Sequence, residues 1–317
     1  MTKVGFIFPG QGSQSTGMGV DLYNNFEISK KVYEDSNNIL SKNISDICFQ
    51  GPDEELKKTI NAQSAIVTTS IAALEAFRSK CNIEPSVVLG HSLGEYCAMY
   101  CADVMDFNTT IKAIQKRSEL MDEATKTTKG TMAAILGSNT EIIKECLKEA
   151  SSLGLVQIAN YNDPTQIVIT GEIEAVAKSC ELIKERGARK VVPLAVSGGF
   201  HSKLMESASY SFVDFVKTLE LNDAKVPVIT NVDAEITLEA EGFREKMPKQ
   251  ISSSVMWVQS IEKALKMGVN TFVEFGSGRI LAGLNRKISS EITTYNVYDS
   301  ESLNNTISAI NAELVEL

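Results

Sequence analysis

Val87-Val88-Leu89-Gly90-His91-Ser92-Leu93-Gly94 places an apolar run directly before a Gly-x-Ser-x-Gly motif. In the segment that follows, Tyr96, Tyr100 and Val104, together with Cys97 and Cys101, have the three and four spacing of a buried helix. A strand, a sharp turn and a helix in this order are typical of a nucleophile elbow, in which the serine hydroxyl stands exposed on a strained turn. The short motif also occurs in ordinary loops, so its context makes Ser92 the first candidate nucleophile.

A serine hydroxyl needs a base, and the chain has only two histidines. His91 lies inside the turn, beside the serine. His201 is therefore the one free imidazole, in the glycine loop Gly198-Gly199-Phe200-His201-Ser202. A single loop histidine is often a surface residue, but the absence of a rival favours His201 as the general base.

The loop Pro9-Gly10-Gln11-Gly12-Ser13-Gln14 follows the first predicted strand and resembles a phosphate-binding loop. It lacks the third glycine of a dinucleotide fingerprint, where Ser15 stands, and Gly17 is followed by Met18 instead of lysine. Two interpretations remain. The loop is a plain strand-to-helix turn, or it approaches a substrate closely so that an amide of Gln11 donates to an oxyanion.

Arg117 lies in a predicted helix over 110–124, on the same face as Ile114 and Met121. A guanidinium on an apolar face requires an anion. From the residues alone, three roles are open for Arg117: binding a substrate carboxylate, pairing internally with an aspartate or glutamate, or extending its charged end to water.

The periodicity predicts an α/β fold. Strands at 4–8, 87–89, 228–229 and 271–275 alternate with helical patterns, which indicates a mostly parallel sheet covered by helices. Between them we predict a strand, a helix, two strands, a helix and a strand at 132–136, 140–150, 155–160, 166–170, 172–186 and 189–193. This β-α-β-β-α-β order is the split, ferredoxin-like unit. We therefore expect a small subdomain over 126–197, inserted into a large one made of 1–125 and 198–317, with the site in the cleft between them.

Composition narrows the class of protein. The 317 residues are 43% hydrophobic and 22% charged, as in ordinary globular chains, and no charge-free apolar run reaches membrane-spanning length. The N-terminal residues are typical of a strand and not of a signal peptide, so we expect a cytoplasmic protein. Six cysteines lack the paired spacing of a zinc site and the net charge is −9, which argues against a metal centre and against nucleic-acid binding.

Taken together, these motifs resemble the malonyl-CoA:acyl carrier protein transacylase family of fatty acid synthesis over nearly the whole chain. The resemblance rests on the order and spacing of Gly10–Gln14, Gly90–Tyr96, Arg117, Asn160-Tyr161-Asn162-Asp163-Pro164, Phe200-His201-Ser202, Gln250, Val255-Met256-Trp257 and Glu274-Phe275-Gly276. It implies an α/β-hydrolase-like core with an inserted ferredoxin-like subdomain.

The resemblance also implies roles for particular residues. Ser92 would receive the malonyl group from coenzyme A as an ester, and His201 would act as base and then as acid, held by the main-chain carbonyl of Gln250. The backbone amides of Gln11 and Leu93 would form the oxyanion hole, and Arg117 would pair with the malonyl carboxylate. Supporting positions would be Gln250, Asn160 and His91.

The partners implied are malonyl-CoA and acyl carrier protein, whose phosphopantetheine thiol would attack the ester in a second half-reaction. The coenzyme A thioester is a substrate, and no cofactor, metal, nucleic acid or membrane is expected; the protein would be a monomer. Many relatives carry a proline where Gly199 stands, and a proline and a basic residue near Ser254 and Met256. These departures affect loop stiffness and carrier affinity more than reaction type.

Two rival interpretations remain. One is a serine hydrolase or thioesterase of the α/β-hydrolase type, with an acidic residue between the serine and the histidine in the chain. The other is a non-catalytic subunit that binds carrier protein. Because the carrier is usually acidic, we also expect a basic rim near the cleft, either at Lys184, Arg186, Arg189 and Lys190 or at Arg279, Arg286 and Lys287. The sequence alone does not decide which of these two clusters would contact the carrier.

Overall fold

The computed structural model describes residues 3–315, with side chains described through residue 312. Within this range the chain forms two β-sheets and a set of α-helices. The strands are β1 Val4–Phe8, β2 Val87–Gly90, β3 Gly130–Leu136, β4 Val156–Asp163, β5 Gln166–Glu172, β6 Lys190–Pro193, β7 Val228–Ile229, β8 Ile236–Thr237, β9 Thr271–Phe275 and β10 Thr293–Val297. The helices are α1 Val20–Asn25, α2 Glu27–Leu40, α3 Ile44–Gln50, α4 Asp53–Lys57, α5 Thr59–Arg78, α6 Gly94–Cys101, α7 Phe107–Thr127, α8 Thr140–Ala150, α9 Ile173–Glu185, α10 Glu206–Lys217, α11 Ala240–Ser252, α12 Trp257–Lys266, α13 Ile280–Ile288 and α14 Ser300–Val315.

The large sheet has the strand order β10-β9-β1-β2-β7-β8. All of its neighbouring pairs are parallel except β7 with β8, which is antiparallel. Parallel strands are buried on both faces, which explains why β1 and β2 are continuous apolar runs and why all five residues of β9 are buried, Thr271 and Glu274 included. This confirms the prediction of a mostly parallel sheet covered by helices.

Successive residues of the large sheet enter two different hydrophobic cores. Phe6, Phe8 and Val88 belong to one core, while Ile7 and Leu89 belong to the other. This alternation follows from the two-residue period of side chains along a strand. Helix α5 fills the first core and is buried almost around its whole circumference, and α12 covers the second core with Trp257.

The register of β1 and β2 places two loops side by side. Phe8 is paired with Gly90, and the amide of His91 donates to the carbonyl of Phe8 at 2.9 Å. Because both strands end at the same edge, the loop after β1 lies against the turn after β2. Ligand sites of open parallel sheets form at this carboxyl edge.

The small sheet is antiparallel, with the order β4-β5-β3-β6. Helices α8 and α9 pack on it around a third core that contains Ile135, Ile143 and Ile183. Every element predicted for this segment is present, and α8 has the predicted bounds. Strand β4 continues to Asp163, three residues beyond its predicted end at 160.

All strands of the small sheet lie within 126–197, while the exact subdomain boundaries stay a prediction. Strand β4 also contacts the rest of the chain. The amide of Tyr161 donates to the carbonyl of Val255 at 3.0 Å, and the amide of Val255 donates to the carbonyl of Ala159 at 2.8 Å. The two sheets are thus linked next to the loop that precedes α12.

Two strands were absent from the sequence prediction. β10 is an edge strand of sequence Thr-Thr-Tyr-Asn-Val whose side chains are mostly half-buried, so it lacks the apolar run of the central strands. β8 has two residues and forms the opposite edge. Edge strands are partly solvated and carry a weak hydrophobic signal. Among the helices described over residues 3–315, none is long and apolar enough to cross a membrane.

Candidate active site

The turn after β2 has the geometry of a nucleophile elbow. Ser92 has a backbone φ of 53°, in the left-handed region that residues other than glycine rarely adopt. A Cβ on Gly90 would lie 1.9 Å from the carbonyl carbon of Gly94, and a Cβ on Gly94 would lie 2.2 Å from the carbonyl oxygen of Phe8. Both glycines are therefore required by close backbone approach, and the sharp turn places Ser92 just before α6.

Ser92 and His201 meet although 109 positions separate them in the chain. The distance between Ser92 Oγ and His201 Nε2 is 2.7 Å, and both residues are buried. His201 also has a positive φ, 56°, so its loop adopts an uncommon backbone conformation to present the ring. The structure thus brings together the two residues that the sequence proposed as nucleophile and base.

Main-chain carbonyls orient the imidazole of His201. Its Nδ1 lies 3.1 Å from the carbonyl oxygen of Gln250 and 3.1 Å from that of Ser253. A carbonyl oxygen can only accept a hydrogen bond, so the ring proton is on Nδ1 and Nε2 keeps its lone pair toward Ser92. The Gln250 carbonyl is where the family resemblance placed it, whereas Ser253 was not anticipated.

The electrostatics keep His201 in its neutral form. Burial, followed by the positive charge of Arg117 and by His91, lowers the pKa of His201 to about 3. At neutral pH the ring is therefore unprotonated and able to accept a proton from the Ser92 hydroxyl.

Arg117 extends from α7 to the nucleophile and is only 1% exposed. Its guanidinium donates to Gln63 Oε1 at 2.5 Å, to Gln250 Oε1 at 3.1 Å and to Ser92 Oγ at 3.2 Å. Its Nε is buried without a hydrogen-bond partner, and the Tyr96 ring lies 5.7 Å from the guanidinium carbon. All of its hydrogen-bond partners in the described chain are therefore uncharged.

Two of the three roles left open for Arg117 are thus wrong. The side chain does not extend to water, and it forms no ion pair with any carboxylate in residues 3–312. Burial lowers the pKa of Arg117, with Tyr96 and Glu95 opposing that effect, yet an arginine remains protonated inside proteins. What remains is a desolvated cation beside the nucleophile, with only neutral hydrogen-bond partners in the described chain.

The amides expected to hold an oxyanion are unpaired. Within the described chain, the backbone N–H groups of Gln11 and Leu93 donate to no other protein group. Leu93 precedes α6, and Gln11 lies in the loop after β1, which packs so closely on the elbow that a Cβ on Gly10 would lie 2.7 Å from the carbonyl oxygen of His91. Two free amides near Ser92 match the requirement for oxyanion stabilisation.

A cavity of about 360 Å³ gives access to these groups. On the side of the large sheet, the cavity is lined by the loop after β1, by the elbow and by helix α13. On the side of the small sheet, it is lined by residues of β3, β4 and β5. Its lining includes Gln11, Ser92, Arg117, Asn160 and His201. A cavity therefore lies between the two sheets, in the region where the sequence predicted a cleft between two subdomains.

The three supporting positions lie in this region. Gln250 contacts three groups at once: its carbonyl accepts from His201, its Oε1 accepts from Arg117, and its Nε2 donates to the carbonyl of Ser92 at 2.9 Å. His91 also lines the cavity, with its Nε2 2.9 Å from Asn162 Oδ1. Asn160 is 7% exposed and faces the cavity.

Sequence reasoning missed four residues that contact the site: Gln63, Glu95, Asn231 and Ser253. Gln63 and Asn231 lie far along the chain from Ser92, in α5 and after β7, and no local motif marks them. Glu95 comes directly after the elbow, in the first turn of α6, so the helical spacing could have predicted that it is buried. Ser253 acts through its carbonyl, which no side-chain pattern reveals.

No candidate metal centre is found among the residues with described positions. In that part of the chain, no group of three or more histidine, cysteine, aspartate or glutamate side chains is arranged to hold a metal ion. The six cysteines are all free thiols.

The basic clusters differ in their surroundings. Each cluster has one residue held in ion pairs: Arg186 pairs with Glu145 and Glu149 on α8, and Lys287 pairs with Asp163 at 3.0 Å. Arg279 and Arg286 are exposed on or beside α13, the helix whose Ile280, Leu281 and Leu284 line the cavity.

The chain is similar to a known protein family and to curated relatives. The acyl transferase domain family matches residues 5–292. A relative from Bacillus subtilis (strain 168), a malonyl CoA-acyl carrier protein transacylase, is 41% identical over 314 residues, which cover 99% of each chain.

Two solved structures are also similar. A malonyl CoA-acyl carrier protein transacylase from Clostridium perfringens shares 36% identity, with a TM-score of 0.93 and 99% coverage of both chains. A malonyl-transacylase in complex with a type II PKS acyl-carrier protein has a TM-score of 0.95 and 35% identity, and the match covers 97% of this chain and 100% of that one.

Proposed function

The chain belongs to the acyl transferase family, and we propose that it transfers a malonyl group from coenzyme A to the phosphopantetheine thiol of acyl carrier protein in fatty acid synthesis. The observation that carries this proposal is the Arg117 guanidinium, which has no carboxylate partner among the described residues and lies within hydrogen-bond distance of Ser92 Oγ. Ser92 Oγ in turn contacts His201. A plain esterase has no need of a buried cation at its nucleophile, whereas a malonyl ester carries a carboxylate that needs one.

In the first half-reaction, His201 Nε2 removes the Ser92 hydroxyl proton while Oγ attacks the thioester carbonyl. The amides of Gln11 and Leu93 hold the oxyanion. As the tetrahedral intermediate collapses, the carbon–sulfur bond breaks and His201 returns the proton to the coenzyme A sulfur. Malonyl remains as an ester on Ser92, with its free carboxylate on the Arg117 guanidinium.

In the second half-reaction, the carrier thiol replaces coenzyme A. His201 takes the thiol proton, the sulfur attacks the ester carbonyl, and the same amides hold the second oxyanion. The carbon–oxygen bond to Ser92 then breaks and His201 returns the proton to Oγ. The buried, neutral imidazole serves as base in both directions because the main-chain carbonyls hold its proton on Nδ1.

The finer description of the fold is part of the proposal. We assign an α/β-hydrolase-like core to 1–125 and 198–317 and a ferredoxin-like subdomain to 126–197. The strand order β4-β5-β3-β6 supports the second assignment, since in the order of the split unit it is second, third, first and fourth. Carbonyls in place of a carboxylate at His201 Nδ1 distinguish this site from the triad of a hydrolase.

We also propose that the enzyme is a cytoplasmic monomer and that its substrate is a coenzyme A thioester. We propose that it needs no cofactor or resident metal and binds neither nucleic acid nor membrane. A net charge of −9 supports the absence of nucleic-acid binding. The acidic carrier would approach over α13, because Arg279 and Arg286 are exposed next to the cavity lining.

The test is the intact mass of the purified protein after brief exposure to malonyl-CoA without carrier. We expect a gain of one malonyl group that is absent in Ser92→Ala and weak with acetyl-CoA. Addition of carrier protein should then remove the group and produce malonyl-carrier. Free malonate without an acyl-enzyme would indicate a hydrolase, and no reaction at all would indicate a binding subunit.

A further inference from the structure

The strained turn at Ser92 is held by hydrogen bonds from outside the turn. A residue with φ near 53° persists only where its surroundings over-determine it. The carbonyl of Ser92 accepts from Gln250 Nε2 at 2.9 Å and from the amide of Glu95 at 3.1 Å. The other side of the turn, which includes the Ser92 amide and the Gly90 carbonyl, is held by one residue that the mechanism above does not use.

That residue is Asn231, which follows β7 in the strand neighbouring β2. Its Oδ1 accepts from the amide of Ser92 at 2.7 Å, and its Nδ2 donates to the carbonyl of Gly90 at 2.6 Å. One carboxamide thus spans the turn from the last residue of β2 to the nucleophile. Because one end must accept and the other must donate, an asparagine satisfies both contacts.

Asn231 is itself fixed by its backbone. Its amide donates to Glu95 Oε2 at 2.5 Å, and its carbonyl accepts from the amide of Met256 at 3.1 Å. Met256 lies three residues after Ser253, whose carbonyl accepts from His201 Nδ1. Asn231 and Glu95 are each 1% exposed, so these bonds are made away from solvent. The residue connects the nucleophile turn to the segment that orients the base.

We propose that Asn231, anchored by Glu95, is the positioning residue that sets the Ser92 hydroxyl against His201 and aims the adjacent Leu93 amide at the oxyanion. Neither side chain touches the reacting atoms. This inference rests on the proposed function only for the identity of the acyl group, because the turn would need the same support for any attack by Ser92.

The expected consequence is a loss in rate without a loss in substrate affinity. Removing the carboxamide leaves the Ser92 amide and the Gly90 carbonyl unpaired, so the turn relaxes toward an ordinary conformation. A displacement of about 1 Å at a reacting atom lowers a rate by about 100-fold. The malonyl carboxylate is bound by Arg117 on α7, which Asn231 does not contact, so affinity should be kept.

The first experiment measures the rate at which a fluorophosphonate labels Ser92, followed by intact mass. This reagent forms a bond between Oγ and phosphorus with loss of fluoride, and it carries no malonyl group. Its outcome is therefore separate from that of the proposed function. We expect Asn231→Ala to be labelled about 100-fold more slowly than the unmodified protein.

A matched control is Asn285→Ala. Asn285 is also fully buried, and its partners are Trp257 Nε1 at 3.2 Å and Thr294 Oγ1 at 3.4 Å. We expect this variant to lose comparable thermal stability but to be labelled at a rate within about threefold of the unmodified protein, since its unpaired groups lie outside the turn.

A second readout separates positioning from folding. In a Ser92→Ala background, the Kd of malonyl-CoA should change by less than about threefold when Asn231→Ala is added, whereas the single-turnover acylation rate of Asn231→Ala with Ser92 intact should fall by about 100-fold. A merely structural defect would weaken both.

Glu95, which anchors Asn231, can be replaced by a residue of nearly the same shape. Glu95→Gln retains an oxygen that accepts from the Asn231 amide, whereas Glu95→Ala does not. We expect labelling of Glu95→Gln to be at least about tenfold faster than that of Glu95→Ala. The proposal is overturned if Asn231→Ala is labelled within about threefold of the unmodified protein, if Asn231→Ala raises the Kd of malonyl-CoA by as large a factor as it lowers the acylation rate, or if Glu95→Gln and Glu95→Ala are equally slow.

Discussion

Arg117 and Glu274 are both buried ionisable side chains without an oppositely charged partner in the described chain, yet their surroundings differ. Glu274, at the end of β9, accepts from the amide of Leu281 at 3.0 Å, from the amide of Ala282 at 2.9 Å and from Asn296 Nδ2 at 2.8 Å. Arg117 has three neutral acceptors, and one of them is the nucleophile itself. Its Nε has no acceptor.

The difference shows how a protein distinguishes a structural charge from a functional one. Burial raises the pKa of Glu274 to about 7, opposed by hydrogen bonds from the amides at the N-terminus of α13 and from Asn296, so the carboxyl group has both oxygens satisfied within the fold. The Arg117 guanidinium is desolvated and incompletely paired, and burial lowers its pKa. A group left in this state interacts strongly with an incoming carboxylate because no internal anion competes.

The largest effect should follow from removing the functional charge. Arg117→Ala loses two or more charge-assisted hydrogen bonds to the malonyl carboxylate, so we expect kcat/KM for acylation by malonyl-CoA to fall about 10³-fold. Acylation by acetyl-CoA should change far less, because acetyl has no carboxylate. Rapid-quench measurement with both thioesters tests this, and equal losses for the two would contradict the assigned role.

Removing the structural charge should affect folding instead. Glu274→Ala leaves the amides of Leu281 and Ala282 and the Asn296 side chain unpaired, so we expect the free energy of unfolding to fall by about 3 kcal/mol. The KM for malonyl-CoA should stay within about threefold of the unmodified value. Urea unfolding with parallel kinetics on the folded protein measures both, and a selective loss of malonyl affinity would erase the contrast with Arg117.

The contrast can also be removed by giving Arg117 its own anion. Gln63→Glu replaces the amide oxygen at 2.5 Å from the guanidinium with a carboxylate of nearly the same shape. The internal ion pair would compete with the substrate, and we expect malonyl acylation to fall about 30-fold. Acetyl acylation should be nearly constant. Gln63→Leu is the matched variant without the charge, and an equal fall there would indicate packing as the cause.

The smallest effect concerns pH. Because the pKa of His201 is lowered to about 3, the base form is already present throughout the range from about pH 5 to 8, and kcat/KM for acylation should be nearly constant there. Arg117 is the second contributor to this lowering, after burial. In Arg117→Ala the imidazolium loses a repelling neighbour, so its pKa rises.

That rise should move the acid limb of the acetyl-CoA acylation profile to higher pH in the variant than in the unmodified protein. The profile is measured as kcat/KM against pH with acetyl-CoA for both. Superimposable profiles would show that the Arg117 charge does not lower the pKa of His201.

Much of the fold follows from local patterns. The central strands were identified because β1, β2 and β9 are buried on both faces and therefore mostly apolar, and α8 was placed within its bounds by its amphipathic spacing. The edge strands β8 and β10 were missed because partial exposure weakens that signal. Ser92 was identifiable because its turn demands glycines at 90 and 94, which are visible in one dimension.

The sequence by itself determined the α/β class, the nucleophile turn and, through the scarcity of histidine, the base. It left the state of Arg117 open, because spacing puts a guanidinium on an apolar face without saying what meets it there. Tertiary structure decided this by placing the neutral side chains of Gln63 and Gln250 around it, 54 and 133 positions away. Asn231 likewise became visible only once β7 paired with β2. The physical reason is that hydrophobic periodicity is a local property, whereas the partners of a buried polar group are set by chain crossings that bring distant residues together.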